Sequence, residues 1–324
     1  MRLPLGKNEN GPALPMHLSR HFIERPDGTR ICWFDSGTPG PVLMIANGLG
    51  GPVAALRTYI RHFAQTHRVV TWDYRGLYAS GLGPQASLDV PAHAADAHAV
   101  IAALGARVDT YVGWSMGVQV GLELYRHDPS ALRRLVLMSG TAGRPFDTVF
   151  PAGPRLVTGL VDAAHRLRWA APTAIRALRS APRADLVLKR LGLMADTFAP
   201  ELYREVLGDF QSLDFDVYFR LLAALGRHDA EAVLAAVSAP TLVISGTRDL
   251  ITPPRLARRL AQGIAGAEYF ALPAGSHYAA AEYPELVIAR VERFIERNPL
   301  PRDAPSEQSG LPGPQPFASL TAAS

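Results

Sequence analysis

Gly113-Trp114-Ser115-Met116-Gly117 is the stretch on which the reading of this chain turns. It follows the apolar, β-favouring run Thr110-Tyr111-Val112 and opens a helix-like stretch over 118–125. Strand, sharp turn and helix in that order force the serine to the tip of the turn. Glycine two residues to either side lets the backbone pass where a Cβ would not fit. The serine hydroxyl then stands at a helix N-terminus, where free N–H groups and the helix dipole favour developing negative charge. The pattern predicts a serine that attacks carbonyls, provided that a base and an acid accompany it. With 28 glycines in 324 residues, an ordinary glycine-rich turn also satisfies these three positions, so the rest of the chain has to decide.

Composition narrows the field. An apolar fraction of 48% supports a sizeable core. The single cysteine, Cys32, allows no intrachain disulfide, and its strand-like setting Arg30-Ile31-Cys32-Trp33-Phe34 reads as a small core hydrophobe. The first residues lack the apolar run of a secretory signal, and no stretch of about 18 apolar residues occurs, so a cytoplasmic protein without integral membrane association is expected. The net charge is +4, and Lys7 and Lys189 are the only lysines. Arginines and aromatics do not interleave, and no helix-turn-helix or zinc spacing appears, so no nucleic-acid partner is expected. The ten histidines are scattered without metal-ligand spacing, and neither metal nor cofactor is expected. A small-molecule substrate is the implied partner; oligomeric state is not legible.

Outward from the serine, short apolar runs alternate with helical patterns. Strands are expected at 42–46, ending at Asn47-Gly48-Leu49-Gly50-Gly51, then at 68–72, ending at Asp73, and at 134–138. Helices are expected at 54–64, at 92–104 with Gly105 as C-cap, and from Ser115 to about 126, where His127-Asp128-Pro129 stops it. Strands that are apolar throughout imply an α/β fold with a parallel sheet covered by helices on both faces. Residues 143–238 show helical periodicity and no strand, after which strands resume at 241–245 and 268–272 and a last helix spans 285–296. An antiparallel hairpin turning at Pro26-Asp27-Gly28 starts the chain's ordered part. The expected organisation is a core of 16–142 and 239–297, a helical cap of 143–238, a loose segment 1–15 and a disordered tail 298–324.

The missing base and acid lie downstream in the order Ser…Asp…His. Asp249 follows the run Ile244-Ser245-Gly246-Thr247-Arg248, and His277 lies in Leu272-Pro273-Ala274-Gly275-Ser276-His277-Tyr278, each just past a strand end. Loops at the C-terminal ends of parallel strands share one face of the sheet, so Ser115, Asp249 and His277 can converge. His277 would take the serine proton and return it to the leaving group, while Asp249 fixes the imidazole tautomer. Asp209 and Asp216 are alternative acids, but both fall in the helical insertion and not beyond a core strand. The oxyanion would be held by the backbone N–H of Met116 and by that of Leu49 in the loop after an earlier strand.

Taken together, Asn47-Gly48-Leu49-Gly50, Asp73-Tyr74-Arg75-Gly76, the serine pentapeptide, Gly246-Thr247-Arg248-Asp249 and Gly275-Ser276-His277 resemble the α/β-hydrolase fold superfamily over roughly 31–297. The helical insertion matches that family's cap in position only. The resemblance implies a mostly parallel sheet of about eight strands with an inserted helical cap, and hydrolysis of esters or related bonds through an acyl-enzyme. Many members carry His-Gly where this chain has Asn47-Gly48; an asparagine there can still hydrogen-bond locally and shape the turn. The serine disfavours the epoxide hydrolases and haloalkane dehalogenases of the family, which use an aspartate nucleophile.

Asp73 and Arg75 read as loop-holding residues. Asn47, Gly48, Gly50, Trp114 and Tyr278 are candidate pocket residues. Leu156, Leu160, Phe198, Phe210, Phe215 and Phe219 suggest an apolar acyl or alcohol group. The arginines between 155 and 190 are compatible with docking on an anionic membrane or with an acidic substrate, but read first as a solvated outer face of cap helices; His62, His67, His93 and His98 read as exposed or satisfied. The expected function is a serine hydrolase acting on a small or medium, partly apolar carboxylic ester. The same triad serves carbon–carbon bond hydrolases and cofactor-free perhydrolases in this family, and the fold can also bind a ligand without catalysis.

Overall fold

The computed structural model describes residues 18–149, 153–181 and 200–300. Eight strands, β1 Ser19–Glu24, β2 Arg30–Asp35, β3 Val42–Ala46, β4 Arg68–Trp72, β5 Thr110–Trp114, β6 Leu135–Met138, β7 Thr241–Gly246 and β8 Glu268–Leu272, form one sheet in the order β1-β2-β4-β3-β5-β6-β7-β8. β1, β2 and β4 pair antiparallel, and every pair from β4 onward is parallel. The expected hairpin joins β1 to β2, and Gly28 supplies the left-handed residue of its turn at φ 78°.

The apolar runs are strands buried on both faces. Val42, Met44 and Ala46 of β3 join one core layer, and Leu43 and Ile45 join the other. Successive side chains of a strand point to opposite faces, so an uninterrupted apolar run requires cover on each side. The first layer is closed by α2 Val90–Leu104, α3 Met116–His127 and α9 Pro254–Gly263; the second by α1 Arg57–Phe63 and α11 Pro284–Arg297. Helix α2 starts two residues earlier than expected, because Asp89 accepts from Ala92 N and caps it, and Gly105 at φ 66° ends it. Cys32 is fully buried in β2, and burial pushes its thiol up to about 12, which fits a core hydrophobe.

Between β6 and β7 the described elements are all helical: α4 Pro145–Val149, α5 Pro154–Arg166, α6 Ala171–Ser180, α7 Pro200–Phe210 and α8 Phe215–Arg227, with short 3-10 turns. After β8 comes the single turn α10 Ala279–Glu282. No described helix is long and apolar enough to cross a membrane. The expectation for 1–15 and that for the tail 298–324 beyond residue 300 concern residues outside those described, as do Phe198, Lys189 and Arg183.

Two expectations need correction. His93 is neither exposed nor satisfied: it is fully buried, with no hydrogen-bond partner of good geometry for either ring nitrogen among the described residues, edge-on to Tyr74 at 5.1 Å, and burial pushes its pKa down to about 3, so the ring is neutral. Leu156 and Leu160 face outward, 67% and 61% exposed, and it is Val157 and Val161 of the same helix that face the interior cavity. The reading of Arg75 as a loop-holding residue fits the structure. Its buried guanidinium pairs with Asp96 on α2 at 2.7 Å and with Asp27 of the hairpin turn at 2.9 Å.

Candidate active site

β5 and α3 meet at Ser115, whose backbone takes φ 55°, ψ −112°. A non-glycine residue in that region costs about 1–3 kcal/mol and persists only where its surroundings enforce it. Here Ser115 N donates to Met138 O at 2.8 Å, and Val118 N donates to Ser115 O at 3.0 Å. A Cβ on Gly113 would sit 2.5 Å from Gly117 O, and one on Gly117 would run into Ala46 O at the end of β3. The two flanking glycines are thus required by the closeness of the strand, the turn and the neighbouring strand.

The loops after β7 and β8 bring the two other polar residues to this tip. His277 Nε2 lies 3.0 Å from Ser115 Oγ, and His277 Nδ1 lies 3.0 Å from Asp249 Oδ2. Asp249 is nearly wholly buried, and its carboxylate is saturated with donors: Ile251 N at 2.9 Å, Thr252 N at 2.7 Å and Thr252 Oγ1 at 2.8 Å. Such an array holds the carboxylate facing the imidazole, with Oδ2 at 3.0 Å and Oδ1 at 3.2 Å from Nδ1. A neutral imidazole that donates from Nδ1 to this carboxylate is left with an acceptor at Nε2, pointing at the serine hydroxyl. Trp114 Nε1 donates to the backbone oxygen of His277 at 3.2 Å, tying the β8 loop to the serine turn.

The backbone N–H groups of Leu49 and Met116 donate to no atom among the described residues. Both residues line the same cavity as Ser115. Gly48 N–H is committed to Asn47 Oδ1 at 2.9 Å, and Asn47 Nδ2 donates to Pro52 O at 2.9 Å. The asparagine therefore shapes the loop. It is buried beneath it and does not line the cavity, contrary to its placement among the pocket residues. Gly48, Gly50, Trp114 and Tyr278 do line it.

The cavity has a volume of about 640 Å³, in the usual range for small-molecule sites. Its floor is the serine turn and its loops; its far wall is helical, with Phe146, Val157, Val161, Leu207, Phe210 and Leu222. No Lys, Arg, Asp or Glu is among the described residues that line it. Of the aromatics expected to face a substrate, Phe210 does, whereas Phe215 and Phe219 pack in or against the core layer beneath. Among the described residues no group of His, Cys, Asp and Glu side chains is arranged to hold a metal.

Thr252 and Gln119 escaped the sequence reading. Thr252 contacts both Asp249 and His277, its Oγ1 lying 3.2 Å from Nδ1. A threonine three residues after an aspartate reads as ordinary turn chemistry, and only the fold shows which group the turn encloses. Gln119, one turn into α3, donates from Nε2 to Gly143 O at 2.9 Å and anchors the start of the helical insertion. A glutamine on an amphipathic helix gives no signal of that.

Residues 41–284 match the model of the alpha/beta hydrolase fold family. The putative carbamate hydrolase RutD of Agrobacterium fabrum is 25% identical over 255 residues, covering 79% of this chain and 93% of that protein. Polyketide synthase ThaQ of Burkholderia thailandensis is 29% identical over 290 residues, 86% of this chain; the chain spans only 13% of that much longer protein. The enol-lactonase structure from Burkholderia xenovorans LB400 superposes with a TM-score of 0.70 at 23% identity, covering 85% of this chain and 100% of that one. The chain belongs to the alpha/beta hydrolase fold family and is a hydrolase.

Proposed function

We propose that the protein hydrolyses small or medium carboxylic esters with a partly apolar acyl or alcohol group, through an acyl-enzyme on Ser115. His277 Nε2 accepts the serine proton as Oγ attacks the carbonyl carbon, and then donates it to the departing alkoxide. Water attacks the acyl-enzyme by the same route in reverse, giving the acid and free serine. Asp249 keeps Nδ1 protonated and stabilises the imidazolium that forms. The N–H groups of Leu49 and Met116 receive the oxyanion of each tetrahedral intermediate. The observation that carries this reading is the continuous chain Ser115 Oγ, His277 Nε2, His277 Nδ1 and Asp249 Oδ2, with both links at 3.0 Å.

The helical insertion over 143–238 acts in this reading as a cap whose apolar wall selects the substrate. The apolar character of the described lining residues favours a neutral, apolar ester over a small polar carbamate, although the same residues could attack either carbonyl. Fluorophosphonate labelling of the purified protein, with turnover of a p-nitrophenyl ester panel, tests the proposal. Labelling and turnover are both expected to vanish in Ser115→Ala. Unchanged ester turnover in that variant would sink the reading.

A further inference from the structure

The segment 153–181, made of α5, a 3-10 turn and α6, differs from the rest of the surface. It carries five arginines against one acidic residue, Asp162, a net charge equal to the +4 of the entire chain. It also carries five of the nine large apolar side chains that are exposed among the described residues: Leu156, Leu160, Leu167, Trp169 and Leu178.

These features are ordered around α5. Leu156, Leu160 and Leu167 follow one another at i, i+4 and i+11, which stacks them in a single stripe. Arg155 and Arg166 repeat at the same i, i+11 interval, about 100° round the helix from that stripe. Neither has a carboxylate partner among the described residues. About 100° to the other side stand Val157 and Val161, which line the cavity. A leucine ridge thus separates unpaired guanidinium groups from the wall of the site. Trp169, just beyond α5, is 76% exposed.

We propose that this face docks on an anionic lipid bilayer. A leucine stripe with arginines beside it and an exposed tryptophan just beyond it is what an interfacial helix needs: apolar side chains enter the acyl boundary while guanidinium groups meet lipid phosphates. Side chains standing this far out of the surface suit a deformable bilayer, which needs no complementary groove, better than they suit an acidic protein. Leu178, on the same exposed segment, also lines the cavity, so a bilayer-dissolved ester would reach it along an apolar path. That last point rests on the esterase reading; the docking itself does not.

The test uses full-length Ser115→Ala protein, so that binding is read without turnover, and vesicles of phosphatidylcholine with or without phosphatidylglycerol. Trp33, Trp72 and Trp114 are buried, so intrinsic fluorescence changes report Trp169. Vesicles containing phosphatidylglycerol are expected to sediment the protein, shift its emission to the blue and shield it from acrylamide. Phosphatidylcholine alone is expected to do so weakly, and added salt to reverse the effect. Arg155→Gln and Arg166→Gln should each weaken association roughly fivefold, and Leu160→Ser should weaken it further. The same substitutions on the Ser115 background should leave fluorophosphonate labelling intact, which separates lost docking from lost folding. Protein that stays in the supernatant with both vesicle types overturns the proposal, as does association unchanged by the three substitutions. An acidic protein bound by this face when vesicles are not would overturn it too. Failure of the wild-type protein to label would instead count against the esterase reading and leave the vesicle result standing.

Discussion

Asp249 and Thr252 show how much of the site depends on groups that never touch the substrate. Three donors fix the Asp249 carboxylate, two of them from Thr252. Asp249→Asn should keep the fold, since an amide oxygen can still accept from the Thr252 and Ile251 N–H groups. Its NH₂ cannot accept the imidazole proton, so the wrong tautomer is favoured and kcat should fall by about 10⁴. Thr252→Val should be milder, because it removes one hydrogen bond to a charged group, worth about 1.5–3 kcal/mol. In kcat that corresponds to roughly a ten- to hundredfold loss with KM little changed. Steady-state kinetics on one ester measures both; a Thr252→Val enzyme as fast as wild type would show that the two backbone donors suffice.

At the scale of elements, the parallel strands and the serine turn were legible because each has a local physical cause. The runs at 42–46 and 242–244 are apolar at every position, which only a doubly covered strand requires, and Gly113 and Gly117 stand where any Cβ would collide. Gly117→Ala should therefore destabilise the protein by about 1–3 kcal/mol through overpacking against β3, seen as a lower urea midpoint, and should reduce fluorophosphonate labelling by shifting Ser115. The helical insertion was less legible. In α5 the stripes Leu156-Leu160 and Val157-Val161 are both apolar and one residue out of phase, so periodicity alone cannot say which faces inward. Tertiary packing against α8 decides it, aided by His165 of α5 binding Asp216 of α8 at 2.9 Å. Gly50 marks the closest approach of insertion and core. Its φ is +71°, and a Cβ there would lie 2.6 Å from Phe210 and 2.9 Å from Tyr218. Gly50→Ala should push α7 off the loop beneath it and make residues 200–227 easier for protease to cut, in limited digestion compared with wild type.

For the molecule as a whole, the sheet end and the insertion are linked by buried acids whose ionisation sets the pH dependence of stability. Asp73, just after β4, is 5% exposed; burial, with the carboxylate of Asp209 on α7 acting the same way, raises its pKa to about 7, against the N–H of Ala79 and the charge of Arg20. Asp209 is itself raised, by burial and by Glu205. In the unfolded chain Asp73 releases its proton near pH 4, whereas in the folded protein it retains it until about pH 7. The folded state therefore binds more protons between those values, and stability falls as pH rises through them. The loss is on the order of 4 kcal/mol by the time the group is fully ionised. His93 acts in the opposite sense, because its folded pKa near 3 makes stability rise with pH up to about 6.5. The wild-type profile is consequently a mixture. Asp73→Asn removes one contribution and leaves that of His93 in place, so the difference between the two proteins isolates Asp73. Urea unfolding at pH 5 and at pH 8 should show the variant gaining on wild type as pH rises, with the amide oxygen still accepting from Ala79 N. A constant difference across that range would mean that Asp73 is ionised throughout, held so by Arg20 and the Ala79 N–H in spite of its burial.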